Sequence, residues 1–237
     1  VIGETTFGKG TVQNIVPLDR WPANEGDRYG HVKLTIAQFF LPGGSSTQNK
    51  GVVPDIAFPV TVDASEYGES TYDNALEWRQ IAAVPHQRYG NFSALLPKLD
   101  ALHGARIAKD KEFSWWSEDV AEFRAEREKK YISLNEAERR AERDRDEAKR
   151  KQRQAERRTL GLDLDPLAES SADDGLQASE RNVAEDAARE KAAEKRPDPL
   201  LRESAAILAD AVRLLNNDRQ LSAQVLPEST APGTWTQ

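Results

Sequence analysis

The chain has 237 residues, 31% of them charged and 38% apolar, with a formal net charge of -7 and no Cys. The acidic balance removes an electrostatic reason to bind nucleic acid or anionic lipid, and the lack of Cys removes disulfides and thiolate metal sites. No run of about 18 apolar residues is present to span a membrane, and the apolar share is thin for one core of this size, so a compact part beside a charge-rich part is expected.

The charge is unevenly placed. Residues 1–60 carry five basic and five acidic side chains, so the whole excess of acid lies beyond them. A Cys-free chain suits an oxidising compartment. There is no Met and the first residue is Val1, so an internal or processed piece of a longer protein is expected, and no signal peptide is visible.

Residues 1–60 read as β structure. TVQNIVPL after Gly10 is rich in β-branched residues, and Pro17 and Pro22 then break the pattern. In HVKLTIAQFFL, Val32, Leu34 and Ile36 alternate with His31, Lys33 and Thr35, and 37–41 turns apolar on both sides, as a buried strand does. Pro42-Gly43-Gly44 is a turn, and Pro54 confines the 51–56 stretch to an edge or a strand end. From about residue 72 the period becomes helical. Asp73 caps an expected helix over 75–83. A second spans 93–102 with Leu95, Leu99 and Leu102 on one side, and a third spans 104–131 with Trp116, Val120 and Phe123 as a core stripe. Ser133-Leu-Asn-Glu136 is a capping box.

Residues 136–158 hold ten basic and seven acidic side chains. Because the signs interleave, this reads as a solvated helix held by i,i+4 pairs rather than a nucleic-acid arm. Residues 161–196 are expected to be loosely ordered. Asp198-Pro199 opens a last helix, with Leu201, Leu208, Val212 and Leu215 as its docking stripe. Residues 216–237 read as a disordered tail. The fold class is α+β: a β-rich part over 1–60, then a mainly α-helical part over 61–215.

The chemistry turns on Gly3-Glu-Thr-Thr-Phe-Gly-Lys-Gly10. Gly3, Gly8 and Lys9 fit a phosphate-binding loop, but its last place holds Gly10 instead of Ser or Thr, which removes the hydroxyl for Mg²⁺. Residues 11–16 do not look like a helix start either. The bland alternative is a solvated Lys9 in a glycine turn. Against it stands Gln13 at +4. In a straight strand the two side chains lie roughly 13 Å apart, but a bend at Gly10 brings them together, with the Gln13 amide oxygen accepting from the Lys9 amine. His31, His86 and His103 have no ligand spacing, and Ser45 and Ser46 lack a G-x-S-x-G setting.

T-F-G-K-G-T-V-Q (Thr6–Gln13), G-H-V-K-L-T-I-A-Q-F-F (Gly30–Phe40) and G-G-S-S-T-Q-N-K-G-V-V-P-D-I (Gly43–Ile56) resemble, in order and spacing, the carboxy-terminal processing proteases, and most closely their tail-specific protease branch. The helical part resembles that branch too, through H-G-A-R-I-A-K-D-K-E-F (His103–Phe113), S-L-N-E (Ser133–Glu136) and D-P-L-L-R-E (Asp198–Glu203). The likeness covers about 1–215, with 161–196 and the tail poorly matched.

The resemblance implies a partial protease platform over 1–60 and a helical C-terminal domain over 61–215. It implies a Ser-Lys endopeptidase in which Lys9 is the general base and Gln13 orients it. A neutral amine at work near pH 7 needs a lysine buried away from carboxylates. It implies no cofactor, no metal and no ATP, a periplasmic place, protein substrates with apolar C-termini and a possible envelope adaptor, with no nucleic acid and no membrane span. The family's serine lies some 25 residues before the lysine, so the nucleophile is expected upstream of residue 1 and this chain alone is expected to be inactive. Two alternatives stand beside this: a helical adaptor-docking or scaffolding module without activity, and a pseudo-protease.

Overall fold

The computed structural model describes residues 1–18, 29–166 and 183–226. It is α+β, with β structure in the first 60 residues and helices after them. Two compact units form, one from Val1–Arg124 with Leu200–Gln237, the other from Ala125–Pro199. No described helix is long and apolar enough to cross a membrane.

In the first unit, β1 (Ile2–Gly3) pairs in parallel with β4 (Ile56–Ala57), and β2 (Thr11–Pro17) pairs antiparallel with β3 (His31–Gln38). The core gathers where β4 meets the helices: Ile56, Phe58, Leu95, Leu99, Phe113, Ile207, Leu221 and Val225, with Ile2 packed against them. These come from β4 and the segment after it, α2 (Leu96–Ile107) and the turn before it, α3 (Lys111–Lys129), α6 (Pro199–Asn217) and α7 (Arg219–Val225). Burying each large aliphatic side chain here contributes about 1.5–3 kcal/mol.

Several expectations change. The 75–83 helix does not form, because tertiary bonds capture its backbone. Ile81 N–H donates to Gly44 O, Val84 N–H to Pro42 O, the Trp78 indole to Ser46 O, and Lys50 Nζ lies 3.5 Å from the centre of the Trp78 ring. A short α1 (Ala64–Tyr67) precedes this stretch, with Asp63 and Glu66 as its capping box. The 104–131 helix is two helices, because Asp110 Oδ1 accepts from the N–H groups of Glu112 and Phe113 and so starts α3 afresh. On α3 the buried apolar face is Phe113, Trp115 and Val120, while Phe123 is exposed. The 37–41 strand end is not buried; Phe39 and Leu41 are exposed.

The last helix starts at Pro199 as expected but buries another face. Leu201, Leu208 and Val212 are exposed, and Glu203, Ile207 and Asp210 are inside; of the expected stripe Leu215 packs against the core. The chain after 216 is not all tail. Asp218 caps α7 by accepting from Leu221 N–H, and α7 seats Leu221 and Val225 in the core; the remainder, 227–237, lies outside the described residues.

Three carboxylates inside the unit, Glu112, Glu203 and Asp210, have cationic partners. His103 Nδ1 donates to Glu203 Oε1 at 2.8 Å, Arg106 Nε to Glu203 Oε2 at 2.8 Å and Arg106 Nη1 to Asp210 Oδ2 at 2.7 Å. Arg202 bridges Asp110 and Glu112 beside them. Burial opposes charge on Glu203, but the hydrogen bonds from Arg106 and His103 hold its carboxyl below the ordinary carboxylate range. Against the same burial penalty, the Phe113 N–H and the Arg202 guanidinium hold Asp110 low. The His103 ring also packs on Phe58 and Phe113, with centroids 5.4 and 5.8 Å away.

The second unit holds α4 (Glu136–Leu160) and α5 (Val183–Ala193). The cap of α4 is Asn135, not Ser133: its Oδ1 accepts from the N–H groups of Ala137 and Glu138. Gly161 closes α4 at φ 67°, a left-handed conformation that glycine adopts without Cβ strain. Along α4 the expected pairs form, Arg140 with Glu136 at 2.7 Å and Lys151 with Glu147 at 2.6 Å, and no residue of it is buried. The expectation of loose order over 161–196 fails where α5 forms, and residues 167–182 lie outside the described residues.

Three outcomes test this packing by chemical and thermal denaturation of the chain. Ile207→Ala costs about 2–5 kcal/mol, whereas Leu208→Ala stays within about 0.5 kcal/mol; equal effects contradict the assignment of the buried face. Arg106→Met removes the guanidinium that two inward carboxylates share, leaving Glu203 to His103 and Asp210 to Arg213, and costs about 3 kcal/mol, against about 0–1 for Lys98→Met, which breaks an exposed pair with Asp218. Because Glu203 and Asp110 titrate lower when folded, their contribution is full above the free values of about 4.3 and 3.9 and is lost as pH falls below them. The midpoint of wild type therefore drops in that window, and the drop is shallower in Arg106→Met.

Candidate active site

The Gly8-Lys9-Gly10 backbone is clamped by the turn 46–51. Asn49 N–H donates to Gly8 O at 2.7 Å, Thr47 Oγ1 to Lys9 O at 3.0 Å, and Gly10 N–H to Gln48 Oε1 at 2.8 Å. Phe39 N–H closes the set on Gly10 O at 3.0 Å. Gln48 is fully buried, and its Nε2 reaches on to Leu76 O at 3.0 Å and Glu69 Oε1 at 3.3 Å. A Cβ on Gly10 would lie 2.7 Å from both Gln48 N and Ser46 Oγ, so only glycine admits this turn. Gly8 adds φ +89° against the Asn49 backbone.

These bonds dispose of the phosphate-loop pattern. A phosphate cradle needs convergent free N–H groups and a helix behind them. Here the Gly10 N–H is committed to Gln48, and the chain runs on as strand β2.

The clamp sends the Lys9 side chain into a cleft of about 570 Å³, lined among others by Phe7, Thr11, Gln13, Thr35, Glu69 and Tyr72. In the β2–β3 ladder Thr11 faces Gln38 and Val12 faces Ala37, but Gln13 faces Thr35, so a bulge absorbs Ile36. That slip puts Gln13 and Thr35 side by side, and Gln13 Nε2 donates to Thr35 Oγ1 at 3.3 Å.

Lys9 and Gln13 thus share the cleft without the expected bond between them. Lys9 Nζ donates instead to Thr11 Oγ1 at 2.6 Å. Two further expectations are corrected: Lys9 is exposed, not buried, and carboxylates do line its cleft, from Glu69 and Asp73. Neither forms a salt bridge with it among the described residues. Ser46 is buried and accepts from Gln48 N–H, a structural post in the turn. His31 is exposed at the start of β3, His86 Nδ1 lies 2.8 Å from Val84 O, and His103 sits in the core. Among the described residues no three His, Asp or Glu side chains gather as metal ligands. Sequence reasoning missed Thr11 and Gln48. Both lie inside quoted motifs, but nothing in spacing marks Thr11 as the partner of the Lys9 amine or Gln48 as the partner of the Gly10 N–H.

Comparison with known proteins fits this architecture. Residues 1–58 match Peptidase family S41. Residues 62–213 match the family described as the C-terminal domain of tail specific protease, and the chain belongs to that family. It is 42% identical over 159 residues to the tail-specific protease of Haemophilus influenzae, covering 63% of this chain and 22% of that protein. It is 43% identical over 56 residues to a carboxy-terminal-processing protease of Bartonella bacilliformis, covering 24% and 11%, and 42% identical over 57 residues to a carboxy-terminal processing protease of Bacillus subtilis, covering 24% and 10%. The chain spans about a fifth or less of the length of these relatives.

Gly10→Ala tests the clamp. It lowers stability by about 1–3 kcal/mol through overpacking against Gln48, whereas Gly43→Ala, with open space around the new methyl, changes little. Equal midpoints for the two variants in urea contradict it.

Proposed function

We propose that this chain supplies the general base of a Ser-Lys endopeptidase, with Lys9 as the base and the nucleophilic serine lying outside these 237 residues. The observation that carries the reading is a lysine on a clamped glycine turn, projecting into a cleft and bonded there to a neutral hydroxyl. In the reaction, the serine Oγ attacks the substrate carbonyl carbon as its proton passes to the Lys9 amine. The tetrahedral adduct then collapses, Lys9 gives the proton to the leaving nitrogen, and an acyl-enzyme remains for water to hydrolyse by the same base. Lysine titrates near 10.4 in water and works best as a base near 7–8. A hydroxyl partner holds the amine without favouring the ammonium as a carboxylate would.

Gln13, on the same cleft wall, belongs to the lysine's surroundings in this reading. In this reading the substrates are proteins with apolar C-termini and the enzyme works in the periplasm; the likeness to tail-specific and carboxy-terminal processing proteases supports a peptidase that acts at C-terminal tails.

In the full-length protein, Lys9→Ala lowers kcat by about 10²–10⁴-fold with an unchanged melting profile, and the isolated chain cleaves no unfolded protein. Near-wild-type turnover of the variant refutes the role of Lys9. Cleavage by the isolated chain refutes the placement of the nucleophile.

A further inference from the structure

Gln13, four residues on, spends its Nε2 on Thr35 Oγ1, while the Lys9 amine donates to Thr11 Oγ1. We propose that Thr11 is the positioning residue of Lys9, an inference that rests on Lys9 being the general base. Lys9 and Thr11 flank Gly10, and side chains two apart in an extended chain share one side. The amine reaches Thr11 Oγ1 at 2.6 Å.

Both ends of that bond are anchored. Thr11 is 7% exposed and opens β2, paired with Gln38, so its hydroxyl has a fixed base. Branching at Cβ restricts its χ1 further. On the other side, the Lys9 carbonyl is held by Thr47 and the Gly10 N–H by Gln48. A lysine side chain otherwise spreads over many rotamers; here root and tip are both tied while the stem stays open to the cleft.

The choice of partner suits a base. A neutral amine has two N–H donors and one lone pair, and an ammonium has three donors and none. Thr11 takes a single N–H, and one is available in either state. The contact therefore persists as the proton arrives and leaves, and the lone pair remains for the serine proton. A carboxylate at the same place would favour the ammonium. Glu69 and Asp73 line the cleft, but neither replaces Thr11 as the amine's partner.

The test uses Thr11→Val, which keeps the shape and removes the acceptor, beside Thr11→Ser, which keeps it, in the full-length protein. Thr11→Val is expected to lower kcat about 10- to 100-fold, with KM within about twofold, and Thr11→Ser to recover at least about a third of wild-type kcat. Thr11→Val within twofold of wild type in kcat, a loss confined to KM, or a loss that Thr11→Ser does not relieve overturns the proposal. Lys9→Ala run alongside separates the two layers: if it is inactive while Thr11→Val is not, only the role of Thr11 falls; if it is active, the reading of Lys9 falls too. Should Thr11→Val not fold, ¹⁵N relaxation of the wild-type side-chain Nζ groups decides. Lys9 Nζ is expected to be more ordered than Lys33 Nζ in the same cleft, and equal order overturns the proposal.

Discussion

The first unit depends on one carboxylate. Glu203 lies inside α6 with 2% exposure, and it is tolerable there because Arg106 and His103 of α2 both donate to it. Without those donors an ionised carboxylate in the core would be expelled or neutralised. With them, α2 and α6 are fixed against one another, and Asp210 on the second Arg106 nitrogen repeats the tie two turns along α6. The His103 ring then serves twice, as donor to Glu203 and as an aromatic face for Phe58 and Phe113. Phe58 follows β4, and β4 pairs with β1, so the ion cluster leads by packing into the small parallel sheet.

From that sheet the path to Lys9 is short. Beyond β1, Thr6 exchanges two hydrogen bonds with Val52, Gly8 takes one from Asn49, and Gly10 gives one to Gln48. The segment that follows β1 and the segment that precedes β4 thus run together and form the clamp. Gln48 passes the connection on to Leu76 and Glu69 at the far wall of the cleft. Lys9 is exposed but rooted in a chain of backbone contacts that leads to the core, the support that the proposed proton acceptor needs.

How much of this could be read from the sequence follows from which interactions are local. The change of period near residue 72 is local, and the α+β class follows from it. Asp198-Pro199 is local, and α6 begins where they stand. The face of α6 is hard to read because its outer stripe, Leu201, Leu208 and Val212, is apolar throughout, whereas the inner one mixes Ile207, Leu214 and Leu215 with Glu203 and Asp210. Only the long-range pairing with Arg106 and His103, about a hundred residues away, makes that face the buried one. The 75–83 helix failed similarly, since Trp78, Ile81 and Val84 answer to groups at 42–46 that no window around them contains.

The motifs fared differently. His103–Phe113 and Asp198–Glu203 were quoted as family likeness, and in space they are one object, the Arg106–Glu203 and Arg202–Asp110 cluster. Thr6–Gln13 and Gly43–Ile56 are likewise the two halves of the Lys9 clamp. What stayed hidden was the partner of the amine. The +4 spacing suggested Gln13, but the bulge at Ile36 turns Gln13 to Thr35, and a bulge leaves no mark in the alternation of β2.

The central claim is that Lys9 is aimed at a serine during acyl transfer. The most direct measurement is the crystal structure of the full-length protein with a peptide boronate, which mimics the tetrahedral adduct. The account predicts boron bonded to a serine Oγ with Lys9 Nζ at about 2.6–3.2 Å from that oxygen. A serine adduct with Lys9 Nζ more than about 5 Å away, outside the reach of direct proton transfer, would contradict it.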